Sequence, residues 1–477
     1  MQNPSRGLIP IALLVAAPAL VRAQDVTGTP TPILTLADAV ERALANNDRL
    51  LGARDGVEQA DLSIRLARSA FKPKLVPNIL GSFGNPDVSN QSYRMDLSQR
   101  FTTGTELRAA AATTTARDPQ VGVYYNTDTT LQLSQPLLRG RGRSAARRGL
   151  TSAEARRADA ARQQTVSEQQ VAVEVAGSYY RIVAQRRLVA VAEQSFERSR
   201  QLLEASTAKL RVGRVSQLDV FRASQLVSQA EGQLLDARAA VEDAKDQVRS
   251  LLGQDAAFDF EVEPEIPQVV EAVTAEEAMR TALERRLELL GAEEAVAEAE
   301  RSVTFARNQM LPQLDVNLTL TRGATGESFG STVGVDQFRF ATFFAVSLPV
   351  DRTAQSVELH NAVIERDRRR RAVGTLRLGI AEAARRAVRQ QERMLKGLEV
   401  AESTVDFAEK EAEVASLRYQ RGLSNNLDVV TAEGNVLSAQ SRRLGILAEL
   451  AVARLALRAT LGILDPRKDL SGKTPAP

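Results

Sequence analysis

The chain has 477 residues, a formal net charge of +3, 43% hydrophobic residues, only 4% aromatic residues, one His, and neither Cys nor Trp. The missing cysteines exclude disulfides, zinc thiolates, a cysteine nucleophile and a lipid-modified N-terminal cysteine. The small net charge argues against a nucleic-acid partner, and a hydrophobic fraction typical of soluble proteins excludes a helical membrane protein.

In chain order, the first element is a secretory signal at residues 1–23. Arg6 supplies the positive start, Leu8 to Leu20 the short apolar stretch, and Val21-Arg22-Ala23 a small-residue cleavage pattern. Pro10 and Pro18 interrupt the run, which is too short for a membrane span of about 20 apolar residues. Its removal lowers the formal charge from +3 to +1, because Arg6 and Arg22 leave with it.

The rest of the chain is built from two copies of one unit. Ala39-Val40 and Ala43-Leu44 recur as Ala278-Met279 and Ala282-Leu283, Leu50 to Ala53 recurs as Leu289 to Ala292, and Pro73 recurs as Pro312, all at an offset of 239. Gly213, Asp219, Ala223 and Leu252-Gly253 recur as Gly422, Asp428, Ala432 and Leu461-Gly462 at an offset of 209. The 30 residues lost between the offsets fall mainly between Pro73 and Pro136. The first repeat covers 24–253, a linker 254–272, the second repeat 273–462 and a tail 463–477.

Each repeat opens with a helix, at 36–71 and 274–308, that stops before a proline. Strands follow, within 75–136 and 313–349. Leu314, Val316, Leu318 and Leu320 alternate with Asp315, Asn317, Thr319 and Thr321; Phe338, Phe340, Phe344, Val346 and Leu348 share a face on the return strand, with Phe343 out of phase. The segment between them, Arg322 to Gln337, reads as a loop. The first copy alternates Tyr93, Met95, Leu97 and Phe101 with Arg94, Asp96, Ser98 and Arg100. One apolar and one polar face suits a membrane barrel, and also a half-buried soluble sheet.

Long helices follow, about 142–211 with return helix 216–252, and about 354–421 with return helix 425–461. The first is on the order of 100 Å long, far beyond a globular helix. Val220, Ala223, Val227, Ala230, Leu234, Ala237, Val241, Ala244, Val248 and Leu251 keep a 3,4 spacing, a heptad seam. Val429, Ala432, Val436, Ala439, Ile446, Leu450, Ala453 and Leu457 repeat it, with Arg443 breaking the pattern. So narrow and small a seam suits helices lining a hollow cylinder.

This order resembles the TolC-like outer-membrane efflux protein family over about residues 34–462. Leu133-Ser134-Gln135-Pro136-Leu137 and Val346-Ser347-Leu348-Pro349-Val350 are similar to the family's strand-to-helix junctions, and Gly213-x5-Asp219 and Tyr419-x-x-Gly422-x5-Asp428 to its tips. The resemblance implies an α+β membrane protein built from a duplicated helix–strands–long-helix-hairpin unit: a homotrimer with a 12-stranded β-barrel in the outer membrane, continued by a long α-helical barrel through the periplasm. It implies a passive duct of a tripartite efflux or type I secretion system, working with a periplasmic adaptor and an inner-membrane pump. Val212, Gly213, Gly422, Leu423 and Ser424 correspond to an adaptor-docking tip, and Asp219, Tyr419 and Asp428 to a periplasmic gate. Ser424 and Thr431 depart from the family, standing where a gating Arg and a second Asp belong; Arg214 or Arg421 is a candidate substitute. The 63 residues from Pro73 to Pro136 leave room for four strands against two in the second copy. The extra hairpin can widen the barrel, lengthen it or fold into its mouth.

Local chemistry accounts for several of these residues as well. Gly213 and Gly422 suit helix C-caps, and Ser216-x-x-Asp219 and Asn425-x-x-Asp428 resemble capping boxes. No enzymatic constellation, metal site or cofactor motif appears: His360 has no second His, Glu411, Glu413 and Arg368 to Arg371 read as solvated helix faces, and no nucleotide-binding glycine-rich motif is present. The competing reading is a periplasmic or surface structural coiled coil without a pore, which has no use for alternating strands.

Overall fold

The computed structural model describes residues 32–84, 88–118, 122–267, 272–333 and 338–470. The signal segment 1–23 lies outside the described residues, as do 268–271 of the linker and 471–477 of the tail.

Each repeat begins with two short helices where one was expected. The first copy has α1 (Leu36–Asn46) and α2 (Asp48–Ser69), preceded by the two-residue strand β1 (Ile33–Leu34). Asn47 separates them with an extended backbone. Its side-chain oxygen accepts from the Arg49 amide at 3.1 Å and its side-chain amide donates to the Leu251 carbonyl at 2.9 Å. One residue therefore ends a helix, starts the next and ties both to a distant element, which outweighs helical continuity.

Four strands follow in the first copy: β2 (Lys74–Gly84), β3 (Val88–Arg100), β4 (Glu106–Asp118) and β5 (Gly122–Pro136). A four-residue helix α3 (Arg143–Ala146) leads into α4 (Arg148–Arg211), and α5 (Gln217–Leu251) returns. The 254–272 segment is more than a connector: its strand β6 (Glu261–Val262) pairs in parallel with β1.

In the second copy, α6 (Ala275–Arg285) and α7 (Leu287–Gln309) break at Arg286, the counterpart of Asn47 at offset 239. Strand β7 (Gln313–Gly326) runs further than expected. The segment read as a loop holds its last five residues and a helical turn, α8 (Phe329–Thr332), before β8 (Arg339–Ser347). The long pair is α9 (Thr353–Gln420) and α10 (Asn426–Thr460), and a final turn, α11 (Pro466–Asp469), lies in the tail and packs on α1.

β2, β3, β4, β5, β7 and β8 form one sheet in that order, antiparallel throughout. One chain thus contributes six strands, two more than the four behind the twelve-strand count, and the extra hairpin is β3–β4. The alternation read from sequence is realised: Ile79, Tyr93, Met95, Leu131, Phe344 and Val346 are all exposed on the apolar face. Phe343 pairs with Asn317 and stays on the polar face.

The long helices lie side by side as α5, α4, α10, α9. Ser195, Ser199, Leu202 and Ser206 of α4 are buried, as are Ala401, Val405, Ala408, Ala412, Ala415 and Tyr419 of α9, both sets at 3,4 spacing. Small side chains let long helices approach closely with little apolar area per turn. Of the ten α5 seam residues none is exposed, but Leu226 is buried in preference to Val227. In α10 Leu450 and Leu457 are buried as the seam requires, but beyond Ala439 the buried stripe also takes in Leu444, Leu447, Ala451 and Leu455 and leaves Ile446 and Ala453 half-buried. No described helix is long and apolar enough to cross a membrane.

The largest core lies at the helices' mid-height, where α1, β1 and β6 wrap α4. Tyr179 on α4 is its anchor: its hydroxyl donates to the Leu34 carbonyl at 3.0 Å and accepts from the Glu263 amide at 3.2 Å. Burial pushes its pKa up to about 12. The folded chain therefore holds this proton more tightly than the unfolded chain, so the contribution is complete below pH 10 and lost as pH rises through 12. Tyr179→Phe is expected to cost about 1–3 kcal/mol through the two orphaned backbone groups and to flatten the alkaline limb of a urea-stability profile; an unchanged limb assigns that limb to other groups.

Candidate functional site: the helical tip

Both long hairpins turn at the end of the molecule opposite the strands. α4 ends at Arg211; Gly213 has φ +70, and the Gly213 and Arg214 amides donate to Leu210 and Lys209 carbonyls at 2.9 Å. α9 ends likewise: Gly422 has φ +75, and the Gly422 and Leu423 amides donate to Tyr419 and Arg418 carbonyls at 3.1 and 2.9 Å. The expected glycine caps are present in both copies, where only glycine takes this backbone without strain.

The return helices differ. Ser216 and Asp219 close a capping box: the Asp219 amide donates to Ser216 Oγ at 3.3 Å, and the Ser216 amide donates to Asp219 Oδ2 at 3.0 Å. Asn425 instead accepts from the Leu427 amide at 3.0 Å, one residue earlier, so the second box does not form. Asp428 is left exposed, with no ion pair among the described residues, whereas Asp219 is half-buried and lies 3.8 Å from Arg222.

Tyr419 is buried at the last position of the α9 seam, 3% exposed. Its hydroxyl lies 2.7 Å from Ser206 Oγ on α4. Lys209, also on α4, places Nζ 3.8 Å from the Tyr419 ring centre and donates to the Tyr419 carbonyl at 2.5 Å. Burial, and then the neighbouring Arg214, lower the Lys209 pKa. A second clasp joins the return helices: Asn426, fully buried, donates to the Asp219 carbonyl at 2.5 Å. A third lies higher, where Arg198 Nε meets Glu433 Oε2 at 2.8 Å.

The tip is thus a latch between the two hairpins of one chain. Tyr419 and Asp219 are engaged in it, on opposite clasps, and no hydrogen bond or ion pair among the described residues joins Asp428 to either. Neither Arg214 nor Arg421 makes an ion pair among the described residues. Sequence reasoning missed Ser206, Lys209 and Asn426. Ser206 was legible as the last member of the small-residue seam through Ser195, Ser199 and Leu202. Lys209 and Asn426 carry no such signal, because their partners are more than 200 residues away.

Val212 and Leu423 stand at the apex of the two turns, 69% and 67% exposed, beside exposed Gly213 and Gly422 and half-buried Ser424. His360 is exposed and bonds to the Ser356 carbonyl of its own helix, at 2.9 Å. Among the described residues no group of His, Cys, Asp and Glu is placed to hold a metal ion.

A six-strand sheet with an apolar face, carried on a layer of helices about 100 Å long that ends in a latched tip, defines an outer-membrane channel of the TolC type. The chain belongs to the outer membrane efflux protein family, whose model matches residues 39–254 and 278–463. The starts of the two matches differ by 239 and their ends by 209, the two offsets of the internal repeat. The chain is 24% identical to the outer membrane efflux protein BepC of Brucella suis over 441 residues, 90% of this chain and 85% of BepC. It is 27% identical to the fusaric acid resistance protein FusA of Burkholderia cepacia over 298 residues, covering 58% of this chain and 56% of FusA. Its fold matches the outer membrane protein VceC of Vibrio cholerae with a TM-score of 0.69 at 18% identity, over 90% of this chain and 96% of that one. The protein is placed in the outer membrane and extends into the periplasm.

Proposed function

We propose that three copies of this chain close into a passive export duct, which receives substrate from an inner-membrane pump through a periplasmic adaptor. One observation carries the reading: both layers of the chain are open at both sides. The sheet ends in unpaired strands β2 and β8, and the helical layer ends in α5 and α9. Open strand edges are not tolerated in lipid, so the sheet must close with further copies. The helical edges carry matching apolar positions, Leu218 and Phe221 on α5 and Val400, Phe407 and Val414 on α9, the last three at heptad spacing and all exposed. A poreless rod leaves the apolar sheet face unexplained.

The adaptor is proposed to seat on the two exposed turns through Val212, Gly213, Gly422, Leu423 and Ser424. Asp219, Tyr419 and Asp428 are proposed to form the entrance. Three-fold symmetry makes exposed Asp428 a ring of carboxylates that attracts cations.

The chain has no cysteine, so a Phe221→Cys, Val414→Cys pair treated with a bifunctional maleimide gives a clean readout. The expected product is a ladder ending at three chains, recovered in outer-membrane fractions and shifting on heating. Monomer alone, or a ladder running past three, rejects the ring.

A further inference from the structure

The hairpin β3–β4 sits inside the sheet. β2 pairs with β3 along its whole length and does not pair with β5, whose two sides are taken by β4 and β7. Folding the hairpin into a mouth or plug would therefore break two complete ladders and leave four bare edges.

The register gives the independent argument. One line of directly opposed residues crosses all six strands: Leu75, Leu97, Ala109, Leu131, Leu320 and Phe340. Every member is apolar, and the hairpin supplies the second and third. The line one residue along, on the other face, is Lys74, Ser98, Arg108, Gln132, Thr319 and Ala341. The hairpin thus has the same lipid-compatible and water-compatible faces as its neighbours, in phase with them. A one-residue slip would have exchanged its faces.

The hairpin's periplasmic turn also has a seat. Gly104, with φ +93, donates to the Phe101 carbonyl at 3.0 Å, and a Cβ there would meet the Gly140 carbonyl at 3.2 Å and the Pro136 ring at 3.4 Å. The turn rests on the rim where β5 passes into the helices.

We propose that β3–β4 is part of the lipid-facing wall, so that three chains close a barrel of eighteen strands. This rests on the three-chain ring proposed above. At equal tilt, barrel diameter grows nearly in proportion to strand number, making the pore roughly half as wide again as one of twelve strands. Only β2, β5, β7 and β8 connect to helices, so the helical duct gains nothing from the hairpin. The outer-membrane segment is then wider than the duct beneath it, and the size limit on cargo lies at the helical end.

The chain has no tryptophan, which allows single-tryptophan fluorescence in vesicles of phosphatidylcholine with brominated chains. Leu97→Trp and Ala109→Trp are expected to be quenched as strongly as Phe340→Trp on β8. Asp96→Trp, on the polar face, is expected to resist lipid quenching and respond to iodide. Quenching of Phe340→Trp without quenching of Leu97→Trp overturns the proposal. No lipid quenching at any position, Phe340→Trp included, rejects the membrane barrel itself. Migration on unheated gels verifies assembly, and Leu97→Trp alone decides the matter if Ala109→Trp does not assemble. A strand count of eighteen around the barrel by electron cryo-microscopy supports the proposal; twelve refutes it.

Discussion

Tyr419→Phe combined with Lys209→Met is expected to raise the mean single-channel conductance in planar bilayers. A passage through the tip widens only if the two hairpins of a chain part or tilt, and the contacts of Tyr419 with Ser206 and Lys209 oppose that movement. The hydroxyl bond contributes about 1 kcal/mol and the lysine–ring contact a similar amount. Together they are worth about 2 kcal/mol in each chain, a factor of roughly 30 in the balance between latched and unlatched tips. Ser206→Ala alone should give the smaller, hydrogen-bond part. Asp428→Ala is the complementary variant: Asp428 makes no ion pair in the latch, so its loss should reduce cation block with little change in the latch itself. A double variant with wild-type conductance would remove the latch from the gate.

The second large effect is structural and concerns Gly462. It has φ +72, and a Cβ there would stand 3.0 Å from the carbonyl carbon and oxygen of Arg285. Gly253, its counterpart at offset 209, has φ +61 and is tighter still, 2.7 Å from the Asn46 carbonyl oxygen. Each glycine wedges the end of a return helix against the break between the two short helices of the same repeat. Gly462→Val should cost about 3–5 kcal/mol, combining left-handed strain with a clash against backbone that cannot rotate away. Gly422→Val supplies the control, since its φ is +75 but nothing lies within 4 Å of its added Cβ. It should cost only the strain, about 1–2 kcal/mol. Urea midpoints of the two variants separate packing from backbone strain; equal midpoints would mean the wedge contributes nothing.

Much of the architecture was legible because it rests on local periodicity and on repetition. Alternation at Leu314 to Thr321 and at Tyr93 to Arg100 reports a two-faced sheet whatever the partner strands are. The 3,4 spacing of the α5 seam reports a helix packed along one stripe. Glycine caps at Gly213 and Gly422 follow from backbone sterics alone. The breaks at Asn47 and Arg286 were not legible, because both sit inside strong helical patterns. Asn47 is held extended partly by the Leu251 carbonyl, 204 residues away. The widening of the α10 seam beyond Ala439, where Leu450 and Leu457 keep their places but Leu444, Leu447, Ala451 and Leu455 join them, was hidden for a related reason: there the helix packs into the mid-height core as well as along its neighbour, so a second contact surface broadens the simple stripe.

At the tip, sequence offered Tyr419, Asp219 and Asp428 as one group. The structure divides them between two clasps and a free carboxylate, and adds Ser206, Lys209 and Asn426. Equivalent positions in the two repeats also part company here: Ser216 builds a capping box with Asp219, whereas Asn425 spends its side chain on Leu427.

The sequence by itself determined the duplication, the strand faces, the lengths of the long helices and the glycine turns, since each depends on spacing or on the conformational limits of a few residues. Tertiary structure alone decided which strands are neighbours and which side chains meet across the tip. Strand order and the Tyr419 latch join residues far apart in the chain, and their geometry is set by packing that no local pattern encodes. The extra hairpin shows both parts: the alternation of its first strand was written in residues 93–101, but only the register with β2 and β5 placed the apolar face of the whole hairpin in line with the rest of the sheet.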